Sequence, residues 1–137
     1  MPLVTVTRRL VFNAAHRVHN PAFSPEKNVA LYGKCNNPHG HGHNYTLEVS
    51  VRGPVDAETG YVIDLGVLRD LVERLVVDQT DHHHFNHDVP YMQGINPTSE
   101  NIVVAMWNAL QPHVQPGKLL RLRLIETENN YVEYEGE

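Results

Sequence analysis

A thiol and three histidines lie close together in the first third of the chain. His39, His41 and His43 are separated by single glycines and follow Cys35, the only cysteine in the sequence. In an extended segment, residues two apart point to the same side, so the three imidazoles project together. Imidazoles without acidic neighbours suit zinc better than calcium or magnesium, which prefer oxygen ligands. The spacing predicts a zinc site beside a thiol, and the alternative is a polar, glycine-rich surface loop.

Two predicted strands explain how further groups could join this cluster. Val4–Ala14 carries apolar residues mainly at even positions, and His16 continues that series. Tyr45–Arg52 carries them at odd positions, in phase with His41 and His43. If the two strands pair antiparallel, the end of the first lies near the start of the second. His16 then meets the glycine-spaced histidines at one rim of the apolar face.

Alternation alone does not choose between the pair His39 and His41 and the pair His41 and His43. His43 adjoins the regular alternation that begins at Tyr45, so strand pairing fixes its direction, whereas His39 lies in the preceding turn. A ligand on a regular element is held more precisely than one on a loop. We therefore predict a site of His16, His41 and His43, with the fourth tetrahedral position open, as a catalytic zinc requires.

Acidic residues supply two further candidates. Asp81 precedes His82 in a histidine-biased stretch, and an aspartate beside a histidine can orient or charge the imidazole for proton transfer. The alternatives there are a solvated polar loop or a second, adventitious metal site.

Glu126 ends the predicted strand Leu119–Glu126 and falls on its apolar side, where an unpaired carboxylate is costly. It either twists to the surface or awaits a ligand that donates hydrogen bonds. The leucines predicted to share its face are Leu120, Leu122 and Leu124.

The remaining elements complete an α+β domain. Pro21 and Pro25 indicate a loop over Asn20–Lys27. A helix capped by Asp64 runs to about Val77, and a second runs from a cap at Thr98 or Ser99 to about Leu110. A last strand covers Tyr131–Glu135. The order β-β-α-α-β-β predicts one domain over residues 1–137, a four-stranded antiparallel sheet with two helices on one face.

The bulk composition narrows the functional classes. The chain has 137 residues, 41% of them hydrophobic, and a formal net charge of −5, which argues against a general nucleic-acid binder. No apolar run is long enough to cross a membrane. One cysteine cannot form an internal disulfide, so we expect a reducing, cytoplasmic setting.

Seven motifs together resemble the 6-pyruvoyl-tetrahydropterin synthase family over nearly the whole chain. They are Phe12 to His16, Gly33 to Pro38, His41 to Tyr45, Asp81-His82, Asp88 to Tyr91, Thr98 to Asn101 and Glu126 to Asn130. The resemblance implies the tunnelling fold (T-fold), in which sheets of three subunits close into a barrel and two trimers stack as a hexamer. It also implies a homo-oligomer here, with active sites between subunits, and 7,8-dihydroneopterin triphosphate as the substrate.

The same resemblance implies a role for each candidate. The implied zinc ligands are His16, His41 and His43. Cys35 is the implied catalytic thiol, with Asp81 and His82 as its relay from a neighbouring subunit. Glu126 is the implied pterin anchor, with help from Thr98 and Ser99.

Two other functions stay open at this point. The related 6-carboxy-tetrahydropterin synthases of the queuosine (7-deazaguanine) pathway usually have three residues between the cysteine and the first zinc histidine. Five residues separate Cys35 from His41, although His39 also supplies the short spacing. A non-enzymatic zinc- or purine-binding module on the same fold is the third possibility. The presence of Cys35, Asp81, His82 and Glu126 together argues against that module.

Overall fold

A mixed five-stranded sheet organises the protein. The computed structural model describes residues 2–137, and the strand order is β3-β1-β2-β4-β5. Neighbouring strands pair antiparallel except β3, which is parallel to β1. The strands are β1 Leu3–His16, β2 His41–Pro54, β3 His83–His84, β4 Lys118–Thr127 and β5 Asn130–Tyr134. The predicted α+β class is confirmed.

Helices cover the apolar face of this sheet and line its rim. The α-helices are α1 Pro25–Tyr32, α2 Leu65–Val72, α3 Asp78–Thr80 and α4 Ser99–Leu110. A π-helical turn, Glu73–Val77, joins α2 to α3, and short 3-10 turns occupy Gly33–Asn36, Pro90–Met92 and Gln111–His113. Residues of α2 and α4 pack with the inward side chains of β1, β2 and β4 in one core. Within residues 2–137, none of these helices has both the length and the apolar character needed to cross a bilayer.

The central strand β2 forms the middle of the core. Its odd-numbered side chains from Tyr45 to Val51 are fully buried, as the alternation predicted. On β1, Leu10, Phe12 and Ala14 face the same core, and the phenyl ring of Phe12 stacks on Tyr45 with 5.1 Å between centroids. Burying a large apolar side chain stabilises a fold by about 1.5–3 kcal/mol. These packed strands therefore hold the residues at their ends in defined positions.

The predicted loop over Asn20–Lys27 is wrong in its second half, where α1 begins at Pro25. The hydroxyl of Ser24 accepts a hydrogen bond from the backbone N–H of Lys27 and caps the helix. Proline is favoured in the first turn because its missing N–H has no partner there and its φ is already helical. Pro25 therefore starts a helix rather than excluding one.

The prediction of a four-stranded antiparallel sheet missed a fifth strand, β3. His83 and His84 form β3 against Ala14 and Ala15 of β1. The pairing is extended by the N–H of Phe85, which donates to the carbonyl oxygen of Ala15 at 2.8 Å. Two residues are too few to produce an alternating apolar pattern, so hydrophobic periodicity did not reveal this strand.

The predicted apolar face of β4 is displaced at its first leucine. Ser50 of β2 lies opposite Arg121, but Val51 lies opposite Leu119, so Leu120 is the extra residue of a β-bulge. Leu119 consequently points into the core at 9% exposure, and Leu120 is only half-buried. Beyond the bulge, Leu122 and Leu124 are fully buried as predicted.

Asn28 holds the segment before α1 to the helix. Its Oδ1 accepts the N–H of Asn20 at 2.9 Å, and its Nδ2 donates to the carbonyl oxygens of Asn20 at 3.0 Å and Ser24 at 3.2 Å. The side chain is fully buried. We predict that Asn28→Ala lowers the free energy of unfolding by about 1–3 kcal/mol, because it leaves buried backbone groups without partners. Urea denaturation measures this, with exposed Asn108→Ala as the control, expected within about 0.5 kcal/mol of wild type. Equal stabilities of the two variants would contradict the prediction.

Candidate metal centre and cleft

Strand register brings three histidines to one end of the core face. His16 of β1 lies directly opposite His41 of β2, and His43 lies opposite Ala14. His41 and His43 share a side of β2 because they are two residues apart. The ring centroids are 4.6 Å apart for His16 and His41, 5.2 Å for His16 and His43, and 4.8 Å for His41 and His43. The predicted convergence of the two strands is therefore present.

The tautomer of His16 is fixed by a backbone carbonyl. Its Nδ1 lies 2.7 Å from the oxygen of Pro97, which can only accept, so Nδ1 carries the hydrogen. The lone pair of Nε2 is then directed into the cluster, 3.2 Å from Nε2 of His41. The ring is 2% exposed. Burial lowers the pKa of His16, although the bond to Pro97 opposes that effect, so the ring favours its neutral form.

The other two imidazoles carry buried nitrogens without hydrogen-bond partners. These atoms are Nδ1 of His41 and Nε2 of His43. Burial also lowers the pKa of His43, which favours neutral imidazole, while the Glu126 carboxylate acts in the opposite direction. Buried polar nitrogens normally have a partner. One ligand atom from each of His16, His41 and His43 lies within 4.8 Å of the others, so the three residues could hold a metal ion.

His39 lies outside this cluster, exposed in the turn that precedes β2. Gly40 shapes that turn, because its φ of +76° is a left-handed conformation that L residues rarely adopt. A Cβ at Gly40 would also lie only 3.1 Å from the carbonyl oxygen of His16. The turn thus needs glycine at this position, and His39 stays exposed just before it.

A cleft of about 350 Å³ opens beside the histidines. It is lined by residues from four separate parts of the chain: His16, Leu31, Tyr32, Cys35, Thr98, Ser99, Glu126 and Val132 are among them. Cys35 lies in the 3-10 turn after α1 and is exposed. Five of the predicted site residues therefore line one cavity, and His41 and His43 adjoin it.

Glu126 points into the cleft instead of turning to the surface. Its Oε2 accepts a hydrogen bond from the hydroxyl of Ser99 at 2.5 Å, and its Oε1 lies 3.7 Å from Nε2 of His43. Thr98, the adjacent residue, caps α4 by accepting the N–H of Asn101. The carboxylate is thus oriented by the start of α4, with Oε1 left available towards the cleft.

These features agree with comparisons to known proteins. A family model described as 6-pyruvoyl tetrahydropterin synthase matches residues 5–137. The chain belongs to this family. It is 42% identical over 132 residues to 6-pyruvoyl tetrahydrobiopterin synthase of Homo sapiens, a match that covers 96% of this chain and 91% of the human protein. The family is the one indicated by the sequence motifs.

The chain is also similar to two further relatives, which carry different names. The structure of Caenorhabditis elegans 6-pyruvoyl tetrahydropterin synthase superposes with a TM-score of 0.94 at 38% identity and covers 100% of this chain and 98% of that one. A 6-carboxy-5,6,7,8-tetrahydropterin synthase of Rickettsia bellii is 29% identical over 150 residues, covering 96% of this chain and 99% of the other. The identity is thus higher to the two relatives named as pyruvoyl enzymes.

Asp81 and His82 do not line the cleft in the part of the chain that the structure describes. They lie at the edge of the sheet, where the N–H of Asn13 donates to Oδ1 of Asp81 at 2.8 Å and His82 N–H donates to the carbonyl oxygen of Asn13 at 2.6 Å. That bond from Asn13 is the main reason the pKa of Asp81 is lowered. His82 has a φ of 62° and a side chain that is 82% exposed. This pair therefore faces outward, with Nδ1 of His82 only 3.1 Å from Oδ1 of Asp81.

Sequence reasoning missed two supporting groups. The carbonyl oxygen of Pro97 orients His16, and no side-chain pattern could reveal a backbone acceptor. Tyr45 was assigned to the core, and it is fully buried, but its hydroxyl has no hydrogen-bond partner among residues 2–137. Burial, with a smaller effect of the Glu126 carboxylate, raises the pKa of Tyr45 far above its usual range, so the phenol stays neutral.

The metal content of single variants should distinguish the histidines that bind a metal from His39, which does not. We predict that His41→Ala and His43→Ala each lose the ability to bind a metal, because each removes one of three converging imidazoles. His39→Ala should keep it, since that side chain lies in the exposed turn. Metal per chain, measured by atomic absorption after dialysis, tests this. An empty site in His39→Ala with a full one in His43→Ala would establish the shorter register instead.

Proposed function

We propose that this protein is a zinc-dependent 6-pyruvoyl-tetrahydropterin synthase. Its substrate would be 7,8-dihydroneopterin triphosphate, from which it eliminates triphosphate while the side-chain hydroxyls become ketones and the ring gains hydrogens. The hydrogens move within the substrate, so the reaction needs no external redox cofactor. The observation that carries the proposal is the cleft that unites Cys35, Glu126 and His16 next to the other two histidines. Family membership and the 42% identity to the human relative support it.

The histidine cluster would hold the zinc. Three imidazoles that each offer a ring nitrogen within 4.8 Å of the others supply the donor set typical of a catalytic zinc site, which keeps its fourth position open. When bound, zinc supplies Lewis acidity towards the hydroxyl groups of the substrate side chain. The buried nitrogens of His41 and His43 that lack partners support this assignment.

The pterin ring would bind at Glu126. The ring presents an amide N–H and an amino group side by side, and a carboxylate can accept two parallel hydrogen bonds. The hydroxyl of Ser99 already donates to one oxygen, which restricts the orientation of the carboxylate. Thr98 and Ser99 start α4 beside it, so they would contact the ring from the helix end.

Cys35 would be the base that removes a proton from the substrate side chain, because a thiolate is the reactive form of cysteine. Asp81 and His82 would relay that proton. The pair lies away from the cleft within one chain, so we propose that a second copy supplies it and that the active enzyme is a homohexamer. The outward-facing His82 and the exposed backbone of the edge strand β5 suit such an assembly.

Product analysis tests the proposal as a whole. Mass spectrometry follows incubation with dihydroneopterin triphosphate and zinc. A pyruvoyl product with released triphosphate is expected. A carboxylated product with released acetaldehyde would identify a 6-carboxy-tetrahydropterin synthase instead. Pterin binding without turnover would indicate a non-enzymatic module.

Cys35→Ala should abolish turnover, because the base would be missing, while metal content and assembly stay unchanged. Turnover by mass spectrometry and metal by atomic absorption measure the two properties in one preparation. If the variant loses its zinc, Cys35 is a ligand and its role as the base is wrong.

Glu126→Gln should weaken binding of a pterin analogue by about 1–3 kcal/mol, because the amide places a donor against a donor of the ring. Isothermal titration with neopterin measures this change. Glu128→Gln, an exposed carboxylate two residues further on, is the control with wild-type affinity. Wild-type affinity in Glu126→Gln would contradict the anchoring role.

Asp81→Asn should lower the turnover rate with little change in pterin affinity, because the relay moves protons and does not hold the ring. Co-assembly of Asp81→Asn with Cys35→Ala should restore part of the activity, since mixed oligomers contain some sites with both groups intact. Activity after mixing, with each variant alone as the baseline, tests this. No recovery in oligomers shown to be mixed would indicate that each site is built from one chain.

A further inference from the structure

Three consecutive residues that follow His16 are hydrogen-bonded to the turn that carries Cys35. Arg17 Nε donates to the carbonyl oxygen of Asn36 at 3.0 Å. The N–H of Val18 donates to the carbonyl oxygen of Cys35 at 2.8 Å. His19 Nδ1 lies 2.9 Å from Oδ1 of Asn36, which only accepts, so Nδ1 is the donor. Arg17 to His19 therefore connects the thiol turn directly to a histidine of the metal cluster.

Asn36 is the central residue of this connection. It follows Cys35 in the 3-10 turn, yet it is 7% exposed while Cys35 is exposed to the cleft. Two of the three hydrogen bonds end on Asn36, one on its carbonyl oxygen and one on its side chain. A buried asparagine beside an exposed cysteine thus determines which way the turn faces.

The connecting residues are themselves held from the opposite side. Asn86 accepts the N–H of Arg17 at 2.7 Å and donates to its carbonyl oxygen at 2.8 Å. Asn96 accepts the N–H of His19 at 3.0 Å. Both ends of the segment are therefore bonded to other parts of the protein. Because the segment is held in place, its hydrogen bonds to the turn hold the turn in place as well.

We propose that Asn36 is a positioning residue that, through His19 and Arg17, holds Cys35 at a fixed place relative to the histidine cluster. This role rests on the proposed function, in which Cys35 removes a proton from a substrate bound between the two. Displacement of a reacting group by about 1 Å can cost on the order of 100-fold in rate. Asn36 needs no contact with the substrate to have this effect.

The first test separates turnover from binding. Asn36→Ala should lower kcat for dihydroneopterin triphosphate about 10- to 100-fold, with KM and metal per chain unchanged. Asn36→Asp keeps an oxygen that accepts from His19 and should retain most of kcat. His19→Ala should lower kcat similarly, and the double variant should be no slower than Asn36→Ala, because both remove the same hydrogen bond. Fully additive effects would contradict a shared role.

A second readout reports the position of the thiol without turnover. Cys35 is the only cysteine, so iodoacetamide modification reads this site alone. Saturating neopterin should slow the modification in the wild type and in Asn36→Asp, and should slow it measurably less in Asn36→Ala. Asn28→Ala is the matched control, because it removes a buried asparagine from the neighbouring helix without touching the turn. It should retain both kcat and protection by neopterin.

The outcomes distinguish the two proposals. Wild-type kcat and protection in Asn36→Ala would overturn the positioning role and leave the proposed function intact. Equal losses of kcat and of protection in Asn28→Ala and Asn36→Ala would show that lower local stability causes the effect, and would also overturn the positioning role. Absence of protection by neopterin in the wild type would contradict the proposed pterin site itself, and the positioning role with it.

Discussion

The antiparallel pairing of β1 with β2 is the constraint on which the rest of the site depends. It places His16 opposite His41, and the two-residue period of β2 adds His43 on the same side. A slip of one residue in this register would turn one strand's apolar side chains and histidines away from the other's. The register is therefore held by the buried residues from Leu10 to Ala14 and from Tyr45 to Val51. The core and the histidine cluster are consequences of one pairing.

Other elements add the groups that strands alone could not supply. The start of α4 provides the carbonyl oxygen of Pro97 and the hydroxyl of Ser99, which orient His16 and Glu126 respectively. The 3-10 turn after α1 adds Cys35 to the lining of the cleft. The sheet thus fixes the three histidines, while a helix end contacts one of them directly and a turn adds the thiol to the same cleft.

Much of this arrangement could be predicted from the sequence where a regular period was present. The alternation before His16 and after His43 determined both strands and which side their histidines face. Prediction failed where position depends on partners distant in the chain. Two residues of β3 carry no pattern, and the bulge at Leu120 is a property of two strands together. Pro25 was misassigned for a local reason, because proline fits either a loop or a first helical turn. The hydrogen bonds from His16 to Pro97 and from Arg17 to Asn36 end on backbone oxygens, which every sequence contains alike, and the bond between His19 and Asn36 joins side chains 17 residues apart.

The contact between His16 and Pro97 has a consequence for ligand affinity. Pro97, Thr98 and Ser99 are consecutive, so one short segment immobilises an imidazole at one end and the Glu126 carboxylate at the other. The conformational entropy of both side chains is then lost when the chain folds, and a ligand that arrives later does not have to order them. A ligand therefore binds such a site with a smaller loss of side-chain entropy than it would a flexible one. A substitution that loosens this segment would weaken binding at His16 and at Glu126 together, although neither of these residues would itself have changed.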